Sequence, residues 1–474
     1  MNQPADVPAR RPARVARGLA AGAIACALAM PALAVPGLES VRFATFNASM
    51  NRNTDTQLQG ALASGADAQV RRVAEVIQTV RPDVLLINEF DNAPGNGAGF
   101  IAPGSPASGS NAQLFIDNYL GVSQNGAAAI GYDYAYWAPS NTGVPSGFDL
   151  NNNGVVGGGD DAYGFGGFPG QFGMLVLSKH AIDFGNVRTM QNFLWKDMPG
   201  ALLPDDPGSA APQDWYSPAE LDVFRLSSKS HWDVPVTVGG ETVHFVTAHP
   251  TPPVFDGVED RNGLRNHDEI RLLSDYVSGA SYVYDDNGGS GGLAPGSLFV
   301  IAGDLNADPF DGDSSGNPID ILTDNPLINA CAVPEAGCLI PASAGGTADT
   351  AADGGFSLSH VGDPAYDTAD FGFTGVGSPD GSPGNLRVDY VLPSSDAVVT
   401  ANGTYLAMTD GGVFWLAPAT GIPDDIALTS FQTSDHHLVW VDLQLTPVPL
   451  PAALPLLASA LGALGWCRHR TRRA

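Results

Sequence analysis

Basic side chains are scarce in this sequence: 22 Lys and Arg stand against 50 Asp and Glu, a formal charge of −28. A chain so acidic repels polyanions at long range and cannot grip DNA through a long counterion-releasing track. A DNA-binding module is therefore excluded, and any nucleic-acid contact must be local and assisted by bound cations. Cysteine is nearly absent. Of the four, Cys26 and Cys467 lie in the two terminal segments, which leaves Cys331 and Cys338. Two cysteines alone do not make a zinc site, and a local disulfide closing one loop is the natural reading. Charged residues are only 15%, while Gly (57) and Pro (37) are abundant. That mix excludes a coiled coil or helical bundle and points to a strand-rich enzyme with long turns. No internal repeat and no clear linker divides the body.

The two ends have their own grammar. Residues 1–34 read as a secretory signal, with Arg10, Arg11, Arg14 and Arg17 before the apolar run Leu19–Met30 and a cleavage motif Ala32-Leu33-Ala34. Residues 447–474 begin Pro447-Val448-Pro449-Leu450-Pro451-Ala452, continue apolar to Trp466 and end in Arg468, Arg470, Arg472 and Arg473. This tail resembles the bacterial PEP-CTERM sorting tails, which implies transient membrane association, removal by a sorting protease, and a cell-surface or extracellular destination. The leader carries four arginines and one aspartate, and the tail four arginines. The body between them therefore has 14 basic and 49 acidic residues, a net of −35.

Within the body, apolar runs mark strands at 41–46, 83–88, 132–137, 173–178, 182–189, 221–226, 234–238, 243–248, 297–302, 388–392 and 437–445. Helical spacing appears in Val70, Val73, Ala74, Ile77 and Val80, and again in Ile270, Leu273 and Val277 over 263–277. A short helix is expected near 319–322. One domain over 35–446 is expected, with Gly- and Asn-rich insertions near 92–170 and 307–385.

The strand ends carry the chemistry. Thr45-Phe46-Asn47 closes the first. Pro82-Asp83-Val84-Leu85-Leu86-Ile87-Asn88-Glu89 closes the second. His249 follows 243–248, and Gly303-Asp304-Leu305-Asn306 follows 297–302. Arg387-Val388-Asp389-Tyr390 opens a later strand, and Ser434-Asp435-His436 precedes the last. Buried strands deliver their terminal side chains to a shared edge. Carboxylates with Asn and His are the donors of a hard-cation hydrolase, since Mg²⁺ prefers carboxylate oxygens. With Gly173-Met174-Leu175-Val176-Leu177-Ser178-Lys179, these pieces in this order resemble the endonuclease/exonuclease/phosphatase superfamily. The resemblance implies an α/β four-layer sandwich of two packed mixed sheets flanked by helices, and Mg²⁺- or Mn²⁺-dependent hydrolysis of phosphoesters. It implies Glu89 as principal metal ligand, Asn47 on the metal shell or a phosphate oxygen, and Asp435 helping to hold the metal. It implies Asp304 on the attacking water, Asn306 on the phosphate, His436 oriented by Asp389, and His249 near the leaving oxygen. It does not assign base and acid among His436, Asp304 and His249. Two residues after Asn47 stands Ser49 where apurinic endonucleases often carry an acid, which turns the reading away from abasic-site repair.

Two weaker signals remain. Arg261 and Arg265, one turn apart on the helix after His249, read either as a phosphate-facing pair or as a solvated face balanced by Asp260, Asp268 and Glu269. Asp149, Asn151, Asn153, Val155 and Asp160, with Gly154 at the turn, match the oxygen spacing of a calcium loop that would bind a structural Ca²⁺, or a plain Asn/Gly turn. Three functions compete: a nuclease acting on nucleic acid, a phosphoesterase acting on phospholipid head groups, inositol phosphates or nucleotides, and an inactive surface-anchored protein.

Overall fold

The computed structural model describes residues 40–105, 107–335, 338–352, 361–371, 384–415 and 433–447. The expected signal, the sorting tail beyond Pro447 and part of the second insertion lie outside them. Among the described residues no helix is long and apolar enough to cross a membrane.

In chain order the elements are β1 (Ser40–Met50), α1 (Gln57–Ser64), α2 (Ala68–Val80), β2 (Val84–Phe90), β3 (Gly99–Ile101), α3 (Asn111–Phe115), β4 (Tyr134–Trp137), β5 (Met174–Ser178) and β6 (Arg188–Thr189). Then follow α4 (Pro218–Leu221), β7 (His231–Val238), β8 (Glu241–Ala248), α5 (Arg261–Val277), β9 (Leu298–Asp304), α6 (Ile319–Thr323) and α7 (Ala344–Ala352). β10 (Ala369–Asp370), β11 (Asn385–Leu386), β12 (Asp389–Pro393), β13 (Thr404–Phe414) and β14 (Leu438–Pro447) complete the set.

Two mixed sheets form. One has the order β13-β14-β1-β2-β5-β4-β3 and the other β12-β9-β8-β7-β6. β1 and β2 are parallel, as are β8 and β9; every other pairing in the two sheets is antiparallel. The period-2 alternation of side chains explains the layering. Val41, Phe43, Val84 and Leu86 share one buried cluster with Val234, Phe245 and Val300 of the second sheet. Ala44, Phe46, Leu85 and Ile87 instead pack with Leu62 of α1, with Val70, Val73 and Ile77 of α2, and with Phe115 of α3. Asp67 caps α2 by accepting from Val70 N at 3.0 Å. α5 packs on the second sheet through Ile270, Leu273 and Tyr276. This is the expected α/β sandwich.

Some boundaries differ from expectation. Residues 221–226 do not form a strand, because Pro218 starts a short helix and Ser217 with Glu220 makes a capping box around it. Of 182–189 only Arg188–Thr189 pairs as a strand. β13 was not anticipated: Asp410-Gly411-Gly412 interrupts its apolar pattern, and a register shift falls beside them. Cys331 and Cys338 do form a disulfide.

β7 begins with a buried histidine whose protonation the fold sets. His231 Nδ1 lies 2.6 Å from the Ser227 hydroxyl, and Nε2 lies 2.9 Å from the Glu269 carbonyl. The carbonyl can only accept, so Nε2 must carry the proton, and burial lowers the ring's pKa. A histidine depressed in the folded state stabilises fully above its unfolded value and loses that contribution as pH falls. Replacing His231 with Asn should flatten the acid side of the stability–pH curve, by up to ~1.4 kcal/mol per pH unit just below pH ~6.5. Chemical denaturation at a series of pH values measures this, and an unchanged slope would contradict it.

Candidate active site

The parallel pairs β1–β2 and β8–β9 point their C-terminal ends at one edge of the sandwich. Two amides join the sheets there. Asn88 Oδ1 accepts from Thr45 Oγ1 at 3.1 Å and from the Asp304 backbone N–H at 3.3 Å. Asn47 Nδ2 donates to Asp304 Oδ2 at 2.9 Å and to Glu89 Oε1 at 3.2 Å.

Alternation along β2 puts Asn88 on the inner face and would send Glu89 toward the helices. Glu89 escapes this through a left-handed backbone, φ +56°. Its second oxygen then accepts from Asn51 Nδ2 at 2.6 Å. Ser49 (φ +46°) and Asn306 (φ +52°) are likewise left-handed. Such conformations are costly for residues with a Cβ and persist only where surroundings enforce them. Here they mark the ends of β1, β2 and β9.

Asp304 is the hub. Its Oδ2 lies 3.3 Å from His249 Nε2 and 3.6 Å from His436 Nε2, and its Oδ1 accepts from the Asn306 backbone N–H at 2.9 Å. His436 Nδ1 is 2.8 Å from Asp389 Oδ2, which also accepts from Thr368 Oγ1 at 2.9 Å. Phe371 meets the His436 ring edge-on. Burial alone would raise Asp304, but His436, His249 and Asn47 hold it well below the usual carboxylate range. Burial alone would lower His436, but Asp389, Asp304 and Asp435 hold it well above the usual histidine range. The second histidine goes the other way. Burial, with Lys229 and His436 nearby, pushes His249 down to about 4 despite Asp304. One imidazole is thus charged and the other neutral at pH 7. The Nδ1 of His249 is buried and has no hydrogen-bond partner.

The sequence reading missed Lys229. It is buried, its ammonium donates to the Pro250 carbonyl at 3.3 Å, and it feels Glu269, Glu89 and Asp304. Burial lowers its pKa and those carboxylates oppose the shift. The available signal was rarity, since the chain has three lysines.

Other expected residues fall elsewhere. Arg265 is not phosphate-facing: its buried guanidinium donates to the carbonyls of Leu226, Tyr163 and Arg225 and lies over the Phe224 ring. Arg261 pairs with Glu259. In the loop from Asp149, the Asp149 carboxylate accepts from the backbone of Asn153 and Gly154, Asn151 from Asn153, and Asn153 from Val155. Asp160 is exposed, and the carboxylate closing the loop is Asp161, which accepts from Leu150 N and Gly157 N. The expected twelfth-position ligand is therefore displaced by one residue, and the oxygens serve Asx turns.

The donors at the edge suit a divalent cation. Asp304, Asp389 and His436 offer ligand atoms within 4.8 Å of one another. Both of those carboxylates already face the charged imidazole, however. Burial raises Asp389 to about 7 even beside that imidazole; Glu89 is raised by burial too, and there the neighbouring Asp435 raises it further. Two carboxylates that repel, beside the Asn47 amide, are the hard oxygen set that Mg²⁺ or Mn²⁺ takes.

The sequence model of the Endonuclease/Exonuclease/phosphatase family matches residues 44–436. The chain belongs to this family. It is a metal-dependent phosphoric ester hydrolase in class, and its two-sheet architecture is the family's fold. Among solved structures it is similar to an endonuclease/exonuclease/phosphatase from Beutenbergia cavernae (18% identity, covering 87% of this chain and 73% of that one, TM-score 0.41). It is similar also to sphingomyelinase C from Streptomyces griseocarneus (14%, 85% and 99%, TM-score 0.37). A third is TDP2 from Caenorhabditis elegans (13%, 86% and 74%, TM-score 0.36). No curated protein matches the chain in sequence.

The Glu89–Asp435 repulsion gives a direct test. A carboxyl whose pKa is raised in the folded state is destabilising when ionised at pH 7. Glu89→Gln should raise the melting midpoint in chelator and abolish the rise that Mg²⁺ or Mn²⁺ gives the wild type. That rise is worth ~2.7 kcal/mol at a hundredfold excess over Kd. A metal-induced shift that survives the substitution would place the ion elsewhere.

Proposed function

We propose that the protein is an exported, divalent-metal-dependent phosphodiesterase, and that nuclease-type cleavage of phosphodiester bonds is its reaction. The observation that carries this is the buried chain Asp389–His436–Asp304–His249, joined through Asn47 to Glu89. It places one fixed anion, one cationic donor and one neutral imidazole around a common point, the set that in-line hydrolysis of a phosphodiester requires.

Glu89, Asn47 and Asp435 would hold the metal, which when bound supplies Lewis-acid polarisation of the phosphoryl oxygens. Asp304, kept ionised by its neighbours, accepts a hydrogen bond from the attacking water and aims its lone pair at phosphorus. His436, kept charged by Asp389, donates toward a phosphoryl oxygen, and Asn306 adds an amide there. Water's oxygen bonds to phosphorus as the opposite P–O ester bond breaks; the water's proton passes to Asp304, and the departing oxygen takes a proton from bulk water. His249, on the far side of Asp304, stands near the departing oxygen. Lys229 adds a buried positive charge to the same anion-binding space.

Support for export is the leader pattern of residues 1–34 and the tail pattern of 447–474. On this reading the tail tethers the body to a membrane until a sorting protease removes it. Hydrolysis of a small phosphoester is the second reading, favoured by the −28 charge. A short substrate needs no basic track.

The purified chain, stripped of metal, should nick plasmid DNA only after Mg²⁺ or Mn²⁺ is added. Asp304→Ala and His436→Ala should each lower the rate about 10³-fold. Lys229→Met should lower it about 10²-fold and leave the circular dichroism spectrum unchanged. Absence of nicking in either metal, with turnover of a small phosphodiester, would move the assignment to the second reading.

A further inference from the structure

β8 and β9 are parallel neighbours, in register from Val243↔Leu298 to Thr247↔Ala302. The loops that follow them therefore leave the sandwich at the catalytic edge, one from His249 and one from Asn306. They are fastened together. Asn266 Nδ2 donates to the carbonyls of Thr251 and Leu305 at 2.8 and 2.9 Å.

The first loop holds a bulky ring out in water. Phe255 is 84% exposed and left-handed, φ +66°. Its backbone is braced, not loose. Asn262 donates through its backbone N–H to Asp256 at 2.6 Å and through Nδ2 to the Val254 carbonyl at 2.7 Å; Arg261 donates to the Phe255 carbonyl at 3.3 Å. Val258 is 87% exposed on the same loop, and Phe310 is 45% exposed on the second. A strained, braced backbone that presents an uncovered aromatic on a loop leaving the edge where His249 and Asp304 meet points to a ligand surface.

The charges on the two loops narrow what can cover it. Asp256, Glu259, Asp260, Asp311 and Asp313 all belong to them, and Arg261 is engaged with Glu259. Further phosphates or an anionic bilayer are repelled there. What fits is a flat, uncharged π-surface attached to the phosphodiester under attack.

We infer that Phe255 stacks a nucleobase of a short single-stranded substrate, so that the enzyme reads a base next to the scissile phosphate. This rests on the phosphodiesterase reading above and narrows it to nucleotide esters. Stacking of a base on an aromatic side chain is strong enough to be read in binding and is tolerant of sequence.

The probes are a dithymidine phosphorothioate and its counterpart with one base replaced by hydrogen, titrated into the full chain with Mg²⁺. The wild type should bind the base-bearing probe about tenfold more tightly than the abasic one. Phe255→Ala should remove that difference and leave abasic binding unchanged, while Phe255→Trp keeps it. Equal binding of both probes by the wild type overturns the inference, as does equal loss of both in Phe255→Ala. Binding to phosphatidylcholine vesicles that vanishes in Phe255→Ala overturns it too, in favour of a lipid surface. Turnover of unmodified dithymidine phosphate with Mn²⁺ is scored separately. Base-dependent binding without turnover leaves the stacking site standing and sinks the hydrolase reading, and turnover with base-blind binding does the reverse.

Discussion

An imbalance of buried charge organises this protein. Glu89, Asp304, Asp389 and Asp435 converge on one edge, where His436 and Lys229 are the cations that answer them. Burying a carboxylate without compensation costs several kcal/mol, so each must find a partner. Asp389 and Asp304 find His436. Glu89 and Asp435 find mainly each other's repulsion, with amides and hydroxyls from Asn47, Asn51 and Ser49 around them. That residue of uncompensated charge suits the edge to a cation, and on the proposed reading the metal would sit there. It also explains why the two histidines differ: His436 has carboxylates on both sides, while His249 shares one carboxylate and lies beside Lys229.

The fold supplies what this arrangement needs, which is stiffness from both sheets at once. Asn88 and Asn47 carry hydrogen bonds from the first sheet to Asp304 at the end of β9. Each is buried, so replacing either amide leaves a polar group unsatisfied and costs more than the bond itself contributes. The left-handed residues at the three strand ends are held by ladders on either side. The strain stored there is local, of order 1–3 kcal/mol each, and the packed sheets carry it.

Much of this was legible in the sequence. Apolar runs located most strands, and the polar residues closing them do meet at one edge, because a buried strand has little choice about where its last side chain goes. Helical spacing placed α2 and α5 for the same reason. What failed was whatever depended on partners. Arg265 looked like a surface cation, yet three carbonyls of other loops claim its guanidinium. Lys229 carried no motif, and its meaning comes from carboxylates delivered by β2, β9 and α5. Glu89 was expected at this edge and lies there, but the left-handed turn that brings it round (φ +56°) is not readable from hydrophobic period. β13 hid behind Asp410-Gly411-Gly412, whose pairing rests on β14 and not on its own pattern.

The charge of the whole chain and the charge of the site pull in opposite directions on the two things the enzyme must bind. A net of −28 concentrates divalent cations near the surface and dilutes polyanions, and both effects reach only about 8 Å at physiological ionic strength. Within that distance the site's own groups decide. A substrate with one phosphate at the centre meets the metal set, His436 and Lys229 and gains from all of them. Each additional phosphate must lie along an acidic rim that offers it nothing. On the second reading proposed above, discrimination by length would need no steric gate, since the field alone favours short esters over long ones. An apolar contact such as Phe255 then becomes the means left to add affinity without adding charge.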